Sequence, residues 1–305
     1  MPEEAPNSPS TGKDFRRLRE SGETAGASRA IGGRIVAWRD SVARAMIAIG
    51  FTPNRVTVLG FLITCGAGWC LAKGASDQVR YFYNGAGGVS WWSAGAALCL
   101  FLAGACDMLD GAIARVGNMS SKFGAILDST VDRLSDIAIF LGCLIHFTLT
   151  ERPNLTLVVL AMLALSSSFL ISYVKARAEE LIDDCSVGFW LRGERFAAVL
   201  IGCAAGHVIA VLWQLALTNW LTVWRRLDFS RRSVLSMERG TPAPAAGPAA
   251  GWMGRIQLWR RPRGSIGYDV VVGINILWIL IAPWIWPSMA GNGPCADPLR
   301  VWLGL

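Results

Sequence analysis

The sequence predicts an all-α integral membrane protein. We expect a six-helix transmembrane bundle, an N-terminal interfacial helix before it, and an extra C-terminal helix after it. Three observations carry this expectation. Hydrophobic residues make up 53% of the 305 positions and charged ones only 17%, too little charge for the surface of a water-soluble domain of this length. The apolar residues come in blocks at 56–71, 91–106, 137–149, 155–174 and 196–223, which approach or exceed the roughly 18–20 residues that cross a bilayer as a helix. The basic runs at 16–19, 225–232 and 260–263 all lie outside those blocks. The net charge of +7 therefore reads as orientation signals and anionic-lipid contacts, not as a nucleic-acid surface.

Taken in order, residues 1–28 are polar, charged and rich in Pro, Ser and Gly. They lack the apolar core of a signal peptide and read as a disordered cytosolic tail. Residues 29–232 form the membrane domain. Ile31, Ile35, Trp38, Val42, Met46 and Ile49 recur every three or four positions, a helix with one apolar stripe that either lies on the membrane surface or is simply packed. Thr52-Pro53-Asn54 starts the first span. The second runs from the interfacial pair Trp91-Trp92 to Asp107, the third from about Phe123 to Leu149, and the fourth from about Leu155 to Val174. Residues 175–195 are charged and loop-like.

Residues 195–224 allow two readings. As one helix they would be about 45 Å long, too long for an untilted span. As a hairpin of two short arms they keep Arg225, Arg226, Arg231 and Arg232 on the cytosolic side, as the positive-inside rule asks, so the hairpin is preferred. Residues 233–266 read as a basic, Pro/Ala/Gly-rich linker. Residues 267–305 hold a last apolar block, 270–286, that crosses or lies at the interface, and a short tail. The eight cysteines form no Cys-x-x-Cys pair and read as small core hydrophobes; His146 and His207 stand among apolar residues without a second ligand at helical spacing.

The chemistry concentrates where the second and third spans meet. Asp107 and Asp110 are three apart and Asp128 and Asp132 four apart, so each pair shares a helix face, and antiparallel neighbours bring both faces to one membrane depth. Four carboxylates beside a bilayer repel one another and cost several kcal/mol apiece in desolvation. Ion pairs with Arg115 and Arg133 are too few to neutralise them. Oxygen-only ligands suit a hard divalent cation, Mg²⁺ or Mn²⁺. Gly111 and Gly124 leave room for a ligand, and Arg115, one turn beyond Gly111, can reach a phosphate. Metal, arginine and glycine together describe a diphosphate site.

The pattern Asp-x2-Asp-Gly-x2-Ala-Arg-x8-Gly-x3-Asp-x3-Asp, complete over residues 107–132, resembles the signature of the CDP-alcohol phosphotransferases. That resemblance implies that Asp107, Asp110, Asp128 and Asp132 hold metal, two ions in all, and that Asp132 is the general base. It implies that Asn54, Arg55, Val56, Thr57, Gly111, Arg115 and Ser121 line the pocket for a cytidine diphosphate. The donor is then CDP-diacylglycerol.

A second basic group lies at the end of the fourth span and the start of the next. Lys175 and Arg195 read either as interfacial anchors or as a pocket for a second anion, which would make the acceptor a phosphorylated alcohol. Ser172-Tyr-Val-Lys175-Ala-Arg177-Ala-Glu179, followed by Glu194-Arg195, resembles the phosphatidylinositol-phosphate synthase branch of that family. There Ser172, Lys175, Arg177 and Arg195 would hold the phosphate of inositol phosphate, with glycerol 3-phosphate the rival acceptor. The likeness covers about residues 33–232. It implies a multi-pass enzyme of the cell membrane, its site facing the cytosol, often a homodimer. A divalent-cation transporter is the competing class, but its acids should sit near mid-membrane on broken helices.

Overall fold

The computed structural model describes residues 27–76, 91–149, 153–242 and 266–286, with Asp297, Leu299 and Trp302, and side chains from Trp38 onward. Residues 1–26 of the expected tail, 243–265 of the expected linker and most of the last residues lie outside this set; Ala27 and Ser28, placed in the tail by the sequence, open the first helix. The described residues form eight helices and no strand: α1 Ala27–Ala48, α2 Pro53–Gly74, α3 Trp92–Val116, α4 Lys122–Leu149, α5 Leu155–Ala178, α6 Arg192–Ala205, α7 Val208–Glu238 and α8 Ile266–Ile285. Four of them, α2, α3, α5 and α8, are long and apolar enough to cross a membrane. α4 is long enough, but Asp128, Asp132, Arg133 and Asp136 fall within its first 15 residues of 28.

The boundaries follow local chemistry. Pro53 stands in the first turn of α2, where its missing N–H is no loss. Asn154 caps α5 by accepting a hydrogen bond from the Leu157 amide at 3.1 Å. The second span does not stop at Asp107 as expected; α3 runs on to Val116, so the whole Asp107–Arg115 motif is helical. α5 likewise continues past Val174 to Ala178.

Residues 195–224 are two helices. Gly206 takes a left-handed conformation (φ 71°) and donates to the Cys203 carbonyl, while the His207 amide donates to the Gly202 carbonyl at 2.7 Å, closing α6. The arms are unequal. α6 has 14 residues and starts at Arg192; α7 has 31, about 46 Å long, and reaches Glu238, six residues into the expected linker. Arg225, Arg226, Arg231 and Arg232 are therefore helical. The overhang of α7 packs on the loop after α5, with Ala178, Ile182, Cys185 and Phe229 forming a small core.

Inside the bundle α2 packs against both α3 and α4. Gly68 of α2 and Gly142 of α4 cross backbone to backbone: a Cβ on Gly68 would meet the Ala138 carbonyl, and one on Gly142 would meet the Gly68 carbonyl. His146 accepts from or donates to the Ser76 hydroxyl at 2.6 Å, tying the far ends of the same two helices. The main apolar core runs through α2–α7 and takes in Val271 and Ile279 of α8.

Candidate active site

One end of the bundle gathers the start of α2, the end of α3, and the starts of α4 and α6. A cavity there is lined by Thr57 and Phe61 of α2, Asp107 and Asp110 of α3, Asp132 of α4, and Arg192 of α6.

Asp107, Asp128 and Asp132 each offer an oxygen, and the three oxygens lie within 4.8 Å of one another. Hard oxygens this close, from three carboxylates, fit a divalent cation. The expected fourth ligand departs from the set. Asp110 is buried and accepts a hydrogen bond from the Thr57 hydroxyl at 2.7 Å. Three residues past Asp107 it lies about 60° around the helix, facing α2 while Asp107 faces α4. It borders the cluster without joining it.

The arginine that pairs with these acids is neither of the two weighed from the sequence. Among the described residues neither Arg115 nor Arg133 forms an ion pair with these aspartates. Arg133 donates to the Ser129 carbonyl of its own helix. Arg192 instead bridges the cluster, with Nη1 2.7 Å from Asp107 and Nη2 2.8 Å from Asp132. Sequence reasoning missed it because α6 carries it in from 60 residues beyond Asp132. The only signal was its position at the head of an apolar block.

The expected nucleotide residues divide. Asn54, Ser121 and Gly124 meet: a Cβ on Gly124 would lie 3.0 Å from Ser121 Oγ and 3.4 Å from Asn54 Oδ1, and Ser121 accepts from the Gly124 amide. Arg115 folds back over Gly111, with Nη1 3.3 Å from where a Cβ would stand, so the space expected for a ligand at this glycine holds the arginine's own guanidinium. Arg55 is exposed and donates to the Gly50 carbonyl. Thr57 is committed to Asp110. Val56 departs from expectation, because its side chain is fully buried against Ala43, Ala112 and Ile113, where it packs α1, α2 and α3 together.

The expected acceptor residues are less gathered. Arg195 is 4% exposed, pairs with Asp136 at 3.2 Å and donates to the Trp190 carbonyl. Lys175 lies 3.7 Å from Glu179, and Ser172 donates to the Ser168 carbonyl within its own helix. Arg177 is 62% exposed and paired with Glu180. On the outside, Met108, Phe123 and Ile126 are exposed apolar side chains flanking the acidic residues.

The CDP-alcohol phosphatidyltransferase family model matches residues 51–227, more than half of the chain. The protein belongs to that family. It is therefore a membrane-bound, phospholipid-synthesising transferase. Among its relatives, the archaetidylinositol phosphate synthase of Methanothermobacter thermautotrophicus is 35% identical over 187 residues, covering 59% of this chain and 84% of that one. The phosphatidylinositol phosphate synthase of Mycobacterium tuberculosis is 37% identical over 184 residues, covering 59% and 76%. The crystal structure of the latter enzyme in complex with manganese and citrate superposes with a TM-score of 0.54 at 29% identity, over 73% of this chain and all of that one. Its structure with CDP-diacylglycerol bound gives 0.51 at 30% identity, over 62% and 92%. The transferase core of this chain is thus shared, and α8 lies beyond the matched segment.

Proposed function

We propose that this transferase moves the phosphatidyl group of CDP-diacylglycerol to a hydroxyl of inositol phosphate and releases CMP. The observation that carries the reading is the acidic triad at one end of the helix bundle, beside a cavity, with the half-buried Arg192 bridging it and the buried Arg195 on the same helix. The manganese-bound and CDP-diacylglycerol-bound structures of a related inositol-lipid synthase support it.

In this reading Asp107, Asp128 and Asp132 would hold the divalent ions, Mg²⁺ or Mn²⁺, and Asp110, held at the border of the cluster by Thr57, would be the fourth carboxylate only if it turned from that bond. Two bound ions would supply charge neutralisation and alignment for the donor's diphosphate. Arg115, Gly111, Asn54 and Ser121 form the wall for cytidine and diphosphate. The acceptor oxygen attacks the phosphorus that bears the diacylglycerol. The phosphoanhydride bond breaks, its electron pair leaves with CMP, and the acceptor proton passes to Asp132. Proximity contributes much of the rate, since a carboxylate is a weak base. Arg195 and Lys175 attract the acceptor's phosphate. The chain acts as a multi-pass protein of the cell membrane, its site at the cytosolic face. A homodimer is the assembly the family resemblance implies.

The test is release of labelled CMP from CDP-diacylglycerol by purified enzyme, with inositol phosphate, free inositol and glycerol 3-phosphate each offered as acceptor. Turnover with inositol phosphate alone is expected; turnover only with glycerol 3-phosphate overturns the acceptor assignment. Lys175→Ala should raise the inositol phosphate KM about tenfold, as loss of one charge-assisted contact would, with the donor KM unchanged.

A further inference from the structure

The first turn of α6 carries Arg192 and Arg195, whose side chains are ion-paired, and Glu194, whose charge suits a helix start, but its backbone has no side-chain cap. Leu191 precedes the helix and its side chain makes no capping hydrogen bond. Gly193 follows Arg192, and a Cβ there would meet nothing within 4 Å. An uncapped helix start with a glycine in its first turn is weakened by about 1 kcal/mol on each count.

A contact from outside the family segment compensates. Tyr268, in the first turn of α8, donates its hydroxyl to Glu194 Oε1 at 2.6 Å. Its ring also packs on Phe189, in the loop that leads into α6, with centroids 5.9 Å apart. The height of α8 along the bundle is set independently. Asn275 accepts from Gln214 of α7, and the Ile279 carbonyl contacts His207 Nδ1 at 3.0 Å. Val271 and Ile279 sit in the main core. With α8 fixed at these levels, the phenol is delivered to the turn between the two arginines.

We propose that Tyr268 is a positioning residue. Through Glu194 it holds the first turn of α6, so the C-terminal helix sets where Arg192 and Arg195 present their guanidinium groups. This rests on the reading that Arg195 attracts the acceptor's phosphate. The C-terminal helix then belongs to the working parts of the enzyme even though it lies outside the shared core.

The experiment compares full-length wild type with Tyr268→Phe, which keeps the ring contact and removes only the hydroxyl, and with Asn275→Ala, which loosens α8 from α7. For each, KM values for inositol phosphate and CDP-diacylglycerol, kcat, Tm and backbone hydrogen exchange are measured in the same mixed micelles. Tyr268→Phe should raise the inositol phosphate KM about fivefold, part of what a hydrogen bond to a charged group contributes. Donor KM and Tm should stay put, and exchange should quicken only over residues 190–197. Asn275→Ala should lower Tm and, because the same bond sets the height of α8, raise the acceptor KM as well. An unchanged acceptor KM in Tyr268→Phe overturns the proposal, as does a fall in its Tm equal to that of Asn275→Ala, which would mark general loosening of α8. If wild type releases no CMP with inositol phosphate, the functional reading has failed instead. Exchange then decides the coupling: localised quickening upholds it and none overturns it.

Discussion

Asp132 touches both halves of the site, lying in the oxygen triad and against Arg192. Asp132→Asn should lower kcat by about 10²–10⁴-fold, the usual worth of a general base, while titration with a non-reactive cytidine diphosphate analogue still shows binding; loss of that binding would remove the base assignment. Arg192 makes a different prediction. It neutralises two carboxylates that a cation would use, so Arg192→Gln should tighten Mn²⁺ binding several-fold by calorimetry while slowing turnover. Weaker Mn²⁺ binding would mean that the arginine helps to build the metal site. At this scale the acids were legible because helical spacing alone puts residues three or four apart on a common side. Arg192 was not legible, since no local pattern links it to Asp107, 85 residues earlier. The Thr57–Asp110 hydrogen bond was hidden for the same reason: it spans 53 residues of chain.

Helices α2 and α4 are held so close at Gly68 and Gly142 that any side chain there must force them apart. Gly68→Ala should destabilise the protein by about 1–3 kcal/mol, the range for overpacking a close contact, seen as a lower Tm in detergent. Activity should fall with it, because α4 also carries Asp128 and Asp132. An unchanged Tm would show that the crossing is loose. The sequence displays many glycines and does not say which two will face each other. Element order was more readable. Long apolar blocks and Pro53 located α2, α3 and α5, and the charge rule chose the hairpin over one long helix. Its unequal arms were hidden because the left-handed turn at Gly206 sits inside an unbroken apolar run.

The molecule as a whole puts its acids, the half-buried Arg192 and the buried Arg195 at one end of the bundle. Removing divalent ions with a chelator should abolish CMP release and lower Tm, with Mn²⁺ restoring both; activity that survives exhaustive chelation would refute metal dependence. Sidedness can be tested by cysteines placed in a cysteine-free background at Ser186, beside the acids' end of the bundle, and at the exposed Pro153, at the opposite end. Only the second should react with an impermeant thiol reagent on intact cells, and the reverse pattern would invert the topology. The exposed Met108, Phe123 and Ile126 carry a kinetic consequence. They let the greasy tails of the donor stay dissolved in the surrounding film while its polar head enters the cavity. Encounter then happens within a sheet two molecules thick, so rate should track the donor's surface mole fraction, and diluting it with inert detergent at fixed bulk concentration should slow the enzyme.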